Sequence, residues 1–203
     1  KFSDMVGQSH IVETLSHALE QGQFSHGYLL AGPRGSGKTT LARIFAKALN
    51  CTGRTLGKDL YEPCNKCSSC KEIAAGKSLD MIEIDAASNR GIDEIRELRE
   101  KIRFAPTKSQ YKVYIIDEVH MLTKEAFNAL LKTLEEPPAH AVFLMATTEP
   151  QKVLPTILSR VQRFDFHRAD IIEIKKLLNR VINKESLKID EEAVHLVAQL
   201  SFC

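Results

Sequence analysis

The residues best suited to chemistry in this chain form a glycine-rich loop, GPRGSGKT, from Gly32 to Thr39. The loop fits the phosphate-binding template GxxxxGK(S/T), in which backbone amides turn inward around a polyphosphate. In that template Lys38 reaches the terminal phosphates and the Thr39 hydroxyl holds magnesium. An apolar run at 28–31 precedes the loop, and apolar residues at helical spacing follow it. This context favours a nucleoside triphosphate site over a glycine-rich turn with a chance lysine.

An acidic pair, Asp117 and Glu118, ends the apolar run 113–116. The run is typical of a buried parallel strand, whose carboxyl end lies at the sheet edge where ligands bind. In a nucleotide site Asp117 would hold magnesium, directly or through water, and Glu118 would polarise the attacking water. Taken alone, the pair is more simply explained as the start of a helix, where acidic side chains are common. Because the chain also contains the phosphate loop, the nucleotide-site interpretation of the acidic pair is favoured.

Two further positions follow strand or helix signals. The apolar run 141–146 leads into Thr147 and Thr148, and one of these threonines could contact a terminal phosphate or the water, although threonine is ordinary at strand ends. Arg160 follows a short helix that opens at Pro155. This arginine is either structural or a finger that reaches the nucleotide of a neighbouring subunit, an effect worth about three to five orders of magnitude in rate in other nucleotide hydrolases.

A cysteine cluster predicts a metal site. Cys51, Cys64, Cys67 and Cys70 follow the pattern Cx12CxxCxxC, and thiolates at this spacing can bind one tetrahedral zinc ion. An iron–sulfur cluster and disulfides or free thiols remain alternatives, although the compact ferredoxin pattern carries its fourth cysteine and a proline downstream. Four thiolates leave no open position on zinc, which predicts a structural site. The fifth cysteine, Cys203, is uninformative.

Composition sets the class of protein. The chain has 203 residues, 43% of them hydrophobic, which suffices for one sizeable α/β domain and the beginning of a second. Its apolar stretches are too short to span a bilayer and its amino terminus lacks the order of a signal peptide, so we expect a cytoplasmic protein with no membrane partner. The net charge of +2 excludes a general basic coating but permits a local basic face.

Strand and helix signals alternate along most of the chain, which predicts a parallel sheet covered on both faces. An opening helix is expected to be capped after Ser9 and to stop near Gly22. We expect a nucleotide-binding core at 1–166, interrupted by a metal-binding insertion at about 51–77. Residues 167–203 show only helical spacing and predict the beginning of a helical lid, truncated here.

A charge-rich helix is expected at 93–103. Its simplest interpretation is a solvated face with supporting ion pairs along the helix. The sharper alternative is that Arg90, Arg96 and Arg99 line a nucleic-acid channel.

Several segments together resemble the gamma/tau subunit family of the bacterial DNA polymerase III clamp loader, over practically the whole chain. They are FSDMVGQ at 2–8, GPRGSGKT at 32–39, the four-cysteine insertion, DAASNRGIDEIR at 85–96, IIDEVHML at 115–122, NALLKTLEEPP at 128–138, ATTEPQK at 146–152 and TILSR at 156–160. Phosphate loops occur in many ATPases, but their combination with the cysteine insertion, NALLKTLEEPP and the SR pair is far narrower. The family's arginine motif usually reads SRC, whereas Val161 follows Arg160 here.

The resemblance implies an α/β fold of the P-loop AAA+ class: a three-layer sandwich with a parallel sheet, a small zinc-binding insertion and the start of a helical lid. The implied cofactors are ATP, Mg²⁺ and Zn²⁺. The residues implied to bind the nucleotide are Val6, Gly7, Gln8, Gly32, Pro33, Arg34, Gly35, Ser36, Gly37, Lys38, Thr39 and Thr40. The residues implied in catalysis are Lys38, Asp117, Glu118, Thr148 in preference to Thr147 as phosphate sensor, and Arg160 acting on a neighbouring subunit. Thr39 and Asp117 are implied to hold magnesium.

The implied function is that of an ATPase motor subunit whose cycle loads a sliding clamp onto primed DNA. The implied partners are other clamp-loader subunits in a hetero-oligomeric ring or spiral, the sliding clamp and primer-template DNA. Two alternatives remain: a nucleotide-binding scaffold subunit without turnover, and a fragment of a DExH helicase, because residues 117–120 read DEVH. A helicase would need a second domain, for which this chain is too short.

Overall fold

The computed structural model describes residues 1–57, 60–89 and 91–202. The strands are β1 (Gly27–Ala31), β2 (Thr55–Gly57), β3 (Leu60–Glu62), β4 (Met81–Asp85), β5 (Lys112–Asp117), β6 (Ala141–Thr147) and β7 (Gln162–Asp165). The helices are α1 (Ser9–Gln21), α2 (Lys38–Leu49), α3 (Ser68–Ala74), α4 (Ile92–Ile102), α5 (Lys124–Glu135), α6 (Pro155–Leu158), α7 (Ile171–Lys184) and α8 (Glu191–Phe202). Short 3-10 turns lie at Phe2–Asp4, Val119–Met121 and Pro150–Lys152.

The centre of the molecule is a five-stranded sheet in the order β4, β5, β6, β1, β7. All four strand pairings are parallel, so the predicted parallel sheet is confirmed. The carboxyl ends of β1, β5 and β6 therefore meet at one edge. Every residue of β1 and β6 is buried, which explains why both read as continuous apolar runs.

Helices cover both faces of the sheet, because alternate strand residues point to opposite sides. Tyr28 and Leu30 belong to a core that α1 and α2 complete, with Leu15 and Phe45 among its members. Leu29 belongs to a second core that α4 and α5 complete. The molecule is thus a three-layer sandwich.

The ends of α1 show where local signals determine a helix and where they do not. Gly22 ends the helix in the left-handed conformation, with φ of 65°, as the sequence predicts. The helix begins at Ser9 itself, one residue earlier than expected, with Gln8 in the capping position. The Gln8 side chain makes no capping bond because it binds elsewhere, donating to the carbonyl of His167 at 2.7 Å.

The insertion contains secondary structure that the sequence analysis did not identify. β2 and β3 form an antiparallel hairpin, and α3 carries the last cysteine, Cys70. The hairpin lies against α1, where the Tyr61 amide donates to the Ser16 hydroxyl. Strands of three residues are too short for a periodicity signal, which explains the omission.

The segment after β7 is helical, as expected. Asp170 caps the amino terminus of α7: its carboxylate accepts from the Glu173 amide, while the Glu173 side chain accepts from the Asp170 amide. α8 packs against α7. Over the described part of the chain, none of the helices combines the length and the apolar character needed to cross a membrane.

Candidate nucleotide and metal sites

The glycine-rich loop joins the carboxyl end of β1 to the first turn of α2. The Gly32 amide donates to the Thr147 carbonyl at 3.1 Å, which ties the start of the loop to β6. A Cβ at Gly32 would lie 2.6 Å from the Phe166 carbonyl oxygen, so only glycine fits there. Gly35 and Gly37 have φ of 79° and 94°, a region that glycine enters without steric cost. The loop therefore needs its glycines for backbone geometry, as the motif requires.

Lys38 is the first residue of α2 and is only 6% exposed. Its ammonium donates to the carbonyls of Gly32 and Pro33, at 2.9 and 2.8 Å. Burial lowers the pKa of Lys38, while the nearby Glu118 and Asp117 carboxylates act to raise it. The ammonium is thus held within the loop at a helix amino terminus, where anions bind well.

Thr39 and Asp117 meet at the same edge. The Thr39 hydroxyl donates to Asp117 Oδ2 at 2.8 Å, although 78 residues separate them in sequence. A hydroxyl and a carboxylate are hard oxygen ligands of the kind that magnesium takes beside substrate phosphates. The donor set therefore fits a Mg²⁺ ion bound with a nucleotide.

Glu118 follows Asp117 in a left-handed conformation, with φ of 48°. Its Oε2 atom accepts from both the amide and the hydroxyl of Thr148, at 3.2 and 3.0 Å. Thr147 is fully buried instead, and its hydroxyl accepts from the Glu149 amide at 3.0 Å. Of the two threonines, Thr148 is thus the one whose hydroxyl contacts the acidic pair.

His120 is a member of this cluster that the sequence analysis did not identify. Its Nδ1 atom lies 3.0 Å from the Thr147 hydroxyl and 3.4 Å from Glu118 Oε2. Its Nε2 atom lies 3.3 Å from Glu149 Oε1. Its sequence signal was its place in IIDEVHML at 115–122, a segment that gave His120 no role of its own.

A cavity of about 560 Å³ opens beside the loop. Its lining comes from the amino-terminal segment, the loop, and α7 and α8. The lining residues are Asp4, Met5, Val6, Gln8, Pro33, Arg34, Gly35, Ser36, Gly37, Thr40, Arg168, Ala169, Glu173, Ile174, Leu177, Leu178 and Ser201. Val6 and Gln8, expected near adenine, do line it. Gly7 lies between them with φ of 78°, and a Cβ there would be 2.9 Å from Glu173 Oε2.

Part of this lining was missed from the sequence. Ile174, Leu177 and Leu178 fall within the helical spacing expected at 167–203, but that spacing does not indicate that they form a wall of the cavity. Arg168, just before that helix, gave no local signal. The backbone at His167, which leads into α7, is attached to the core through Gln8. The Gln8 side chain donates to the His167 carbonyl at 2.7 Å and accepts from the His167 amide at 3.3 Å.

Arg160 lies beside the amino-terminal ends of the strands, whereas the phosphate loop lies at their carboxyl-terminal ends. It precedes β7, and the adjacent Val161 packs against Gly27, the first residue of β1. The phosphate loop starts at Gly32, five residues after Gly27 and about 16 Å further along the strand. The Arg160 guanidinium donates to Glu135 Oε1 at 2.8 Å and to the Thr156 carbonyl at 2.7 Å. The structure therefore does not bring Arg160 to the phosphate loop of its own chain.

The candidate DNA-contacting arginines are separate from this site. Arg96 lies on α4, is exposed, and pairs with Asp93 one turn away at 3.3 Å. Arg99 is on the same helix, but its side chain is not described, and Arg90 lies outside the described residues. The pairing of Arg96 agrees with the solvated-face interpretation of this helix.

The four predicted cysteines form a compact cluster. Their Sγ atoms all lie within 4.8 Å of one another, and Cys51 and Cys70 are buried. Tetrahedral zinc with Zn–S bonds of about 2.3 Å places sulfurs about 3.8 Å apart, so the cluster fits zinc. Backbone amides also point at sulfur: Cys64 N donates to Cys51 Sγ at 3.2 Å, and Cys67 N to Cys64 Sγ at 3.3 Å. For Cys67, burial raises the pKa, but the amides of Cys70 and Thr52 and the side chains of Cys70 and Cys64 donate hydrogen bonds that together lower it to about 6.

Comparison with known proteins decides the family. Residues 7–170 match the family described as DNA polymerase III, delta subunit. The chain belongs to this DNA polymerase III family. The tau subunit from Bacillus subtilis is 55% identical over 98% of this chain, and the tau subunit from Escherichia coli is 46% identical over 98%. The gamma/tau subunit from Mycobacterium tuberculosis is 47% identical over 97%.

These relatives confirm the expected resemblance to gamma/tau subunits of DNA polymerase III. They are longer proteins, because the alignments cover 34%, 30% and 34% of their lengths. The chain therefore spans about a third of the relatives that it matches.

Solved structures confirm the fold of this DNA polymerase III family member. The RuvB Holliday junction branch migration motor from Thermotoga maritima aligns over 95% of this chain and 56% of its own, with a TM-score of 0.65 and 21% identity. A DNA polymerase III gamma subunit-related protein from Thermotoga maritima aligns over 94% of this chain and 57% of its own, with a TM-score of 0.54 and 24% identity. The predicted α/β fold, a three-layer sandwich around a parallel sheet, is confirmed.

Proposed function

We propose that this chain binds Mg·ATP and hydrolyses it as a motor subunit of a DNA polymerase III clamp loader. The observation that carries the proposal is the Thr39–Asp117 hydrogen bond of 2.8 Å, beside a buried Lys38 and next to Glu118. These four side chains come from α2 and from the end of β5, and they meet at the sheet edge where nucleotides bind.

Binding begins with the loop. Its backbone amides and the amino terminus of α2 would receive the phosphates, with Lys38 exchanging its contacts to the Gly32 and Pro33 carbonyls for contacts to the terminal phosphates. Magnesium, when bound, would neutralise charge that develops on the phosphate oxygens. Thr39 and Asp117 would hold that ion. The base and ribose would occupy the cavity that Val6 lines.

Hydrolysis would depend on Glu118 and Thr148, which follow β5 and β6 and are hydrogen-bonded to each other. Glu118 would orient the attacking water, and Thr148 would contact the terminal phosphate. A phosphate that attracts the Thr148 hydroxyl would weaken its bond to Glu118 and so free the carboxylate for the water. Occupation of the site and activation of Glu118 would thereby be linked.

The remaining proposals concern the assembly. α7 and α8 wall the cavity, so residues 167–203 would act as a lid on the core at 1–166 and transmit nucleotide binding to the rest of the protein. Arg160, which lies far from its own loop, would complete the site of a neighbouring subunit. We propose a hetero-oligomeric ring or spiral that holds an open sliding clamp and primer-template DNA in the bacterial cytoplasm, with hydrolysis releasing both. Zinc would hold the insertion at about 51–77 in shape.

The scaffold alternative keeps one observation in its favour: Arg160 does not reach the phosphate loop of its own chain, so an isolated chain would turn over slowly. The complete acidic pair and lysine favour hydrolysis in the assembly. The DExH helicase alternative has no support from the DNA polymerase III family match.

The test compares ATP hydrolysis by the full-length protein, assembled with its partner subunits, with and without a sliding clamp and primed DNA. We expect clamp and DNA together to stimulate hydrolysis. Lys38→Met should abolish nucleotide binding, whereas Lys47→Met, at the other end of α2, should match the wild type. Nucleotide binding without any hydrolysis would favour the scaffold, and unchanged binding in Lys38→Met would contradict the proposed site.

A further inference from the structure

Glu62 is a charged residue that the proposed chemistry does not use, yet it is only 2% exposed. It ends β3 in the cysteine insertion, two residues before the candidate zinc ligand Cys64. Burying a carboxylate is costly unless hydrogen bonds compensate for lost water. The contacts of Glu62 therefore indicate what its burial achieves.

Both carboxylate oxygens of Glu62 bind the amino-terminal segment. Oε2 accepts from the Phe2 amide at 3.0 Å and Oε1 accepts from the Ser3 amide at 2.8 Å. These two amides belong to the first turn of a 3-10 helix, where the helix itself offers no acceptor. Glu62 thus anchors the backbone of this turn from a part of the chain some 60 residues away.

The anchored turn leads directly into the nucleotide cavity. Asp4, Met5 and Val6 follow Ser3 and line the cavity. Met5 touches the phosphate loop, because a Cβ built on Gly37 would lie 2.9 Å from Met5 Cε. The Asp4 carbonyl accepts from Arg180 of α7 at 3.1 Å.

The segment is consequently held at both ends. Gln8 fixes its far end to His167, and Glu62 fixes its near end to the insertion. We propose that Glu62 is a positioning residue for the nucleotide site, which couples the four-cysteine insertion to the segment 4–8 that forms one wall of the cavity. The inference rests on the proposed ATP site and adds a structural dependence of that site on the insertion.

The coupling has a simple physical basis. The cysteine cluster fixes Cys64. The buried Pro63, which lies between Glu62 and Cys64, restricts the backbone that carries Glu62. Ordering of the cavity wall before nucleotide arrives reduces the conformational entropy lost on binding. The Phe2 side chain also packs in the hydrophobic core, a contact that does not involve Glu62, so we expect a partial effect and not a loss of the site.

The test uses Glu62→Gln, which keeps the shape of the side chain but loses one acceptor and the charge. Its matched control is Glu72→Gln, in the same insertion, where Glu72 pairs with Lys108 instead of the amino-terminal segment. With full-length protein and a fluorescent ATP analogue plus magnesium, Glu62→Gln should raise Kd and the KM for ATP about threefold to tenfold. The kcat at saturating ATP and the zinc content should stay at the wild-type values, and Glu72→Gln should change none of these.

A second arm removes zinc by chelation and repeats the affinity measurement. Zinc removal should weaken binding of the analogue by the wild type but have a smaller effect in Glu62→Gln, because the two changes act along one path. Equal Kd values for wild type and Glu62→Gln would overturn the inference, as would a Glu62→Gln variant that loses its zinc. A wild type that does not bind the analogue at all would instead overturn the proposed function.

Discussion

Thr148 donates both its amide and its hydroxyl to one oxygen of Glu118, at 3.2 and 3.0 Å. The two residues are 30 apart in sequence, but they follow the adjacent parallel strands β6 and β5. The carboxylate proposed to orient water is thus held by the residue proposed to contact the terminal phosphate. Substitution of either residue should therefore lower the rate of ATP hydrolysis more than it lowers the affinity for ATP.

Glu118→Gln should lower kcat for ATP hydrolysis by about a hundredfold or more, because an amide cannot act as a general base. Nucleotide affinity should stay within about threefold of the wild type, since Lys38, Thr39 and Asp117 are intact. Steady-state hydrolysis and a direct binding measurement together give the two values. Glu125→Gln, in the first turn of α5, serves as the control, and equal hydrolysis by Glu118→Gln and this control would exclude Glu118 as the base.

Arg160→Ala should spare ATP binding and lower hydrolysis by about three orders of magnitude in the assembled complex. Its ion pair with Glu135 is partly exposed, so its loss should cost less than about 1 kcal/mol of folding stability. Arg163→Ala, which removes a similar exposed ion pair to Asp165, is the matched control. A parallel loss of binding, hydrolysis and thermal stability in Arg160→Ala would mean that the arginine is structural.

The cysteine cluster should hold about one zinc ion per chain, measured by elemental analysis of the purified protein. Cys67→Ser should reduce zinc content and lower Tm by about 5 °C or more, because metal binding contributes to folding of its own site. Cys203→Ser, outside the described residues, should leave both values unchanged. Wild-type protein that contains iron, or no metal with intact disulfides, would establish one of the alternatives.

Asp80 offers a pH-dependent test of the fold. Its buried carboxylate accepts from the amides of Thr107, Lys108 and Ser109 at 2.7 to 2.9 Å. Burial raises the pKa of Asp80, but these amides lower it further, to below its ordinary value of 3.8. A lowered folded-state pKa favours the folded protein above 3.8, and this stabilisation is lost as the pH falls through the folded-state pKa.

Asp80→Asn should therefore lower the free energy of unfolding by about 1–3 kcal/mol at neutral pH. The difference from the wild type should shrink in acid, where both side chains are uncharged. Urea unfolding at several pH values measures it. The exposed Asp93→Asn should show little change, and a difference that does not depend on pH would contradict the role of the charge.

The parts of the site that could be predicted from sequence are those that local pattern determines. Asp117 follows an apolar run, and Thr39 is the last residue of the glycine-rich loop. Their meeting at the carboxyl ends of the strands follows from a parallel sheet. The Glu62 anchor and the Gln8–His167 contact span 59 and 159 residues. No local pattern reports such contacts, because they depend on how the finished elements pack.

The same limit applies to the cavity. The stripe on α7 was visible in the sequence, yet its role as a wall depends on the position of the helix against the phosphate loop. Hydrophobic spacing shows which face of a helix is apolar, but not which surface that face meets.

Arg160 and the phosphate loop lie at opposite ends of the parallel strands, and this gives the subunit a polarity. If each arginine serves the next chain, the contact joins two different surfaces, and such contacts propagate in one direction. An open arc of n identical chains would then contain n − 1 complete catalytic centres. One end of the arc would bind ATP without an arginine, and the other would present an arginine with no nucleotide to act upon. The two terminal positions could thus be filled by proteins that lack one of these features without loss of turnover elsewhere.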